Sequence, residues 1–72
     1  MRIEQLIKMA NQIGDFFEAE PDEAQAKKDI ANHLNRFWTK DMRRQIAVHV
    51  KEKQGAGLHD KVIAAISSYV SI

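Results

Sequence analysis

The chain has 72 residues, with 11 Lys and Arg against 10 Asp and Glu, a formal net charge of +1 and no Cys. That length holds one domain, so residues 1–72 are read as a single unit. Without Cys there is no disulfide, no thiolate metal site and no Cys nucleophile, and the near-neutral balance gives no global attraction to nucleic acid or an anionic membrane.

Helical periodicity runs through the whole chain. Ile3, Leu6, Ile7, Ala10, Ile13, Phe16 and Phe17 recur at three- and four-residue steps, the spacing of one helix face. Pro21 disfavours helix at Glu20, and Asp22 can cap a second helix from about Glu23 to Trp38. Ala26, Ile30, Leu34, Phe37 and Trp38 are expected on one side of it. Thr39 is the expected N-cap of a third helix, Lys40 to Lys53, with Met42, Ile46 and Val50 four apart. Gly55-Ala56-Gly57 breaks the pattern before a fourth helix, about His59 to Val70, with Val62, Ile63, Ile66, Tyr69 and Val70 facing inward. The predicted fold is all-α, a compact single domain of four short helices. The abrupt join at Trp38-Thr39 predicts a sharp corner between the second and third.

Met9 to Phe17 also aligns with Ile30 to Trp38, with Ala, Asn and Phe recurring identically. Either a pseudo-symmetric helix pair or coincidence in a restricted alphabet accounts for it. Both stretches end in an aromatic pair, and consecutive helical residues point about 100° apart. One member of each pair is therefore expected at the margin of the core. The apolar arc of the first helix is wider than a surface helix needs, and its Ala10 and Gly14 would admit a close neighbour. More apolar and aromatic surface than one small core can hide points to a protein partner.

Chemistry is sparse. Ser67, Ser68 and Ser71 have no Gly-rich elbow or neighbouring His, and the Gly55 turn lacks the Lys-Ser/Thr of a phosphate loop. His33, His49 and His59 lie 16 and 10 residues apart, and nothing in their spacing argues for a zinc site. His49 reads as a core-edge histidine with a bonded nitrogen, and His59 as a capping or solvated one. The carboxylates Asp15, Glu18, Glu20, Asp22 and Glu23 read as a solvated acidic corner. No catalytic residue, metal ligand or cofactor is assigned.

The ordered set Met9-Ala10-Asn11-Gln12-Ile13, Phe16-Phe17, Ile30-Ala31-Asn32-His33-Leu34, Phe37-Trp38, Met42-Arg43 and Gly55-x-Gly57-Leu58 resembles the delta subunit of the soluble, NAD-dependent molybdenum formate dehydrogenases. It departs from that pattern at Lys40-Asp41, often Pro-Arg or similar, and at His59, where a Ser often begins the last helix. The resemblance implies a non-catalytic accessory subunit that contacts the large catalytic subunit as a stabilising or assembly factor. It further implies that molybdopterin, iron–sulfur clusters, FMN and NAD sit in partner subunits of a complex that oxidises formate to carbon dioxide.

Asn11, Gln12, Phe17, Asn32, His33, Trp38 and Arg43 are the expected partner-binding residues. Asn11 and Asn32 fall off the apolar stripe, where Asn weakens a helix without packing in return. The alternative is a helix-turn-helix nucleic-acid binder using Arg43, Arg44 and Gln45. A cytoplasmic location is expected, because Glu4, Gln5 and Lys8 interrupt any leader and the uncharged run Val62 to Ile72 is too short to span a bilayer. A homodimer through the partner patch is expected only when no partner is present.

Overall fold

Local chemistry sets the helix boundaries. Asp22 precedes α2 (Glu23–Phe37) in extended backbone, and its carboxylate accepts the amides of Ala24 and Gln25 at 3.0 and 3.2 Å. Thr39 opens α3 (Lys40–Lys53) in the same way, its Oγ1 accepting the Met42 amide at 3.2 Å. α1 covers Ile3–Phe16 and α4 Asp60–Tyr69, in a computed structural model that describes residues 1–71. Ile72, the end of the uncharged C-terminal run, lies outside the described residues. The four expected helices are present, and among the described residues there is no strand.

The expected corner at Trp38-Thr39 is formed by two consecutive extended residues, with ψ of 143° and 161°. α3 ends differently. Gln54 is left-handed with φ 57°, and Gly55 and Gly57 follow with φ of 70° and 89°. A Cβ on Gly55 would also meet Ile63 at 2.7 Å, so this turn needs glycine for both backbone and space.

α4 packs most extensively on α2 and also touches α3 and α1. The core beneath it joins Leu6, Ala10, Leu34, Trp38, Ile46, Leu58, Val62 and Ile66, with Ile30, Ala31 and Ala65 as a smaller adjoining cluster. The close approach expected at Gly14 is real, since a Cβ there would stand 2.6 Å from Val62 Cγ2.

Three residues of the expected apolar faces lie outside: Phe16, Phe37 and Tyr69 are 79%, 66% and 41% exposed. Helical rotation explains the first two. The core takes Ile13 and Leu34, and three steps of about 100° leave Phe16 and Phe37 about 60° round the helix from them, past its edge. Their neighbours turn back, with Phe17 half-buried and Trp38 only 5% exposed. The two aligned stretches thus share an environment at their Ala and aromatic positions, Ala10 and Ala31 both being buried.

Candidate functional site

The last turn of α1 and the second half of α2 bring the aromatic residues together. Phe16 and Phe17 meet edge to face, with ring centroids 5.0 Å apart and planes at 89°. On α2, His33 and Phe37 are four residues apart and therefore neighbours, with ring centroids 4.8 Å apart. The Arg36 guanidinium sits 5.6 Å from the Phe37 centroid, within cation–π range. Phe17, Asp29, Asn32, His33, Arg36 and Phe37 line a shallow groove of about 240 Å³ between the two helices. Asp29 is engaged, accepting Gln25 Nε2 at 2.9 Å. The side chains of Asn32 and His33 make no hydrogen bond among the described residues. The groove can therefore receive an apolar side chain and still offer an amide, an imidazole and a guanidinium to polar atoms beside it.

Of the seven expected contact residues, Phe17, Asn32 and His33 share this groove. Gln12 is exposed on α1 outside its lining. The other three serve the fold itself. Asn11 donates from Nδ2 to the Gly57 carbonyl and accepts the His59 amide on Oδ1, both at 2.9 Å. That pair ties α1 to the entrance of α4. Trp38, expected as a partner contact, fills the core instead because the extended corner turns it in. Arg43 donates from Nε to the Ser71 carbonyl at 2.9 Å, and from Nη1 to Trp38 and Asn35 carbonyls at 2.7 and 3.3 Å.

Sequence reasoning missed Arg36 and Phe37 as members of the groove, and Phe16 as the exposed ring against Phe17 at its edge. The aromatic doublets carry the signal, but the expected contacts Phe17 and Trp38 are the inner member of each, and the exposed rings are Phe16 and Phe37. It also missed Asn35, whose amide donates to the Tyr69 carbonyl at 3.1 Å and accepts the Ser71 amide at 2.8 Å. Asn11 and Asn35 thus hold the two ends of α4 by the same device, each bridging a carbonyl and the amide two residues on.

The histidines follow the sequence reading in part. The Ala56 carbonyl accepts from His49 Nε2 at 2.7 Å, which fastens the glycine turn. His59 occupies the N-cap position of α4 without a side-chain cap bond, and its Nδ1 lies 3.4 Å from Asp15 Oδ1. Among the described residues no three His, Asp or Glu converge as a metal site would require. The nucleic-acid trio does not form one free face either. Arg43 is committed as above and Gln45 Nε2 donates to Asp41 at 2.9 Å, leaving Arg44 to act alone.

A model of the NADH-dependent formate dehydrogenase delta subunit family, FdsD, matches residues 5–66. The chain belongs to the FdsD family. The matched span contains every residue lining the aromatic groove, the two clamp asparagines Asn11 and Asn35 and the glycine turn. No curated protein and no solved structure matches the chain. As an FdsD-family delta subunit, it is a small subunit of a formate dehydrogenase complex, which implies partner subunits. Among the described residues no helix is long and apolar enough to cross a membrane.

Proposed function

We propose that this chain is a non-catalytic delta subunit that docks on the large, molybdenum-containing catalytic subunit of a cytoplasmic NAD-dependent formate dehydrogenase. Docking stabilises that subunit or assists its assembly. The observation that carries this reading is the pair Phe16 and Phe37, 79% and 66% exposed beside one groove. The core is complete without them, so their apolar surface stays in water until another protein covers it. Aromatic and Arg side chains set around a depression are the residue types that dominate interface energetics.

Donor chemistry supports the non-catalytic part. The sequence contains no Cys to ligate an iron–sulfur cluster, and among the described residues no three His, Asp or Glu converge on a metal position. Under this reading molybdopterin, iron–sulfur clusters, FMN and NAD are held by partner subunits.

The test is capture of the large subunit from its native cell by a tagged chain, compared with Phe16→Ala/Phe37→Ala. Both side chains are exposed, so the double variant keeps its stability within about 0.5 kcal/mol per site. The expected result is loss of most of the captured subunit from a folded variant. Undiminished capture would overturn the proposal.

A further inference from the structure

A second apolar depression, of about 390 Å³, lies between the start of α1 and the outer face of α3, remote from the aromatic groove. Ile3 and Val48 contribute to its floor, and Val48 is 44% exposed. Arg44 and Glu52 flank Val48 one turn to either side, and Lys53 lies beside Glu52. Neither Arg44 nor Glu52 has an ion-pair partner among the described residues.

Arg44, Val48 and Glu52 are spaced i, i+4, i+8, so they form one row along α3 about 12 Å long. Reversing the direction of that row exchanges its positive and negative ends and leaves Val48 in the middle. This is the pattern an isologous two-fold contact requires, in which residue i meets j and j meets i. We propose that this face of α3 binds a second copy of the chain, antiparallel, with Val48 against Val48 on the axis. Arg44 of each copy then faces Glu52 of the other, so the charged contact forms twice.

The charges also select the register. A slip of one turn in either direction sets Val48 against a charged side chain, Glu52 or Arg44, and breaks both Arg44–Glu52 contacts. A single pair of 14-residue helices sits at the small end of specific interfaces, so the dimer forms reversibly and with concentration. It leaves Phe16 and Phe37 uncovered, and a catalytic subunit does not compete with it.

Sedimentation equilibrium of the full chain at low ionic strength tests the proposal. The wild type is expected to show a monomer–dimer equilibrium, and Arg44→Glu to weaken it roughly tenfold by replacing two attractions with two repulsions. Arg44→Glu/Glu52→Arg is expected to restore the dimer, while Val48→Asp removes it and Phe37→Ala leaves it intact. A wild-type chain that stays monomeric at millimolar concentration would overturn the proposal. So would a charge-swapped double variant as weak as Arg44→Glu, with helical circular dichroism confirming that each variant is folded. Capture of the catalytic subunit, read in parallel, reports on the aromatic groove: if Val48→Asp lost that capture and the wild type formed no dimer, the α3 face would be a hetero-subunit contact instead.

Discussion

Asn11 and Asn32 occupy equivalent places in two similar stretches but do different work. Asn11 makes two hydrogen bonds to backbone near α4, whereas the Asn32 amide is exposed in the aromatic groove. Asn11→Ala is expected to cost about 1–2 kcal/mol, at roughly 1 kcal/mol per bond lost. Asn32→Ala is expected to stay within about 0.5 kcal/mol. Urea unfolding of the two variants checks the contrast, and equal losses would contradict the clamp. Gly14→Ala puts a methyl 2.6 Å from Val62 Cγ2, and the expected net loss is about 1–2 kcal/mol. Val62→Ala in the same chain makes the space, so the two losses combine to less than their sum. Thermal unfolding of the single and double variants measures that coupling. The caps at Asp22 and Thr39 were legible because a cap acts within three residues. The bonds of Asn11 were not, since their partners lie 46 and 48 residues away.

At the scale of the elements, periodicity and punctuation located all four helices to within a residue or two. What they left open was rotation at the helix ends. The doublets Phe16-Phe17 and Phe37-Trp38 each put one ring in and one out, and no local rule chooses between them. Tertiary contacts decide, through the turn after α1 and the extended corner after α2. The pair at the corner gives a clear test. Trp38→Ala is expected to cost about 3–5 kcal/mol because it empties a core position, whereas Phe37→Ala next to it costs little. Chemical denaturation of the two neighbours would show this asymmetry directly. Part of the candidate site was therefore readable: Phe17, Asn32 and His33 belong to the groove, while the exposed rings are Phe16 and Phe37 and the expected Trp38 is buried.

Over the whole molecule, a body of 31 × 22 × 18 Å carries apolar surface in two separate places. Its near-zero net charge offers little long-range repulsion to keep such surfaces apart. A dye that fluoresces on exposed apolar surface is expected to bind the native chain and to lose part of that signal in Phe16→Ala/Phe37→Ala, the depression at Val48 keeping the rest, with the melting temperature unchanged. An unaltered signal would mean that the rings do not form an accessible patch.

The clamps on α4 have a kinetic consequence. Their bonds join residues 34 to 48 positions apart, so most of the chain must be ordered before any of them can close. Interactions of that kind are expected to form after the folding transition state. They lengthen the lifetime of the folded protein without hastening its formation, so Asn11→Ala and Asn35→Ala should accelerate unfolding and leave the refolding rate nearly untouched.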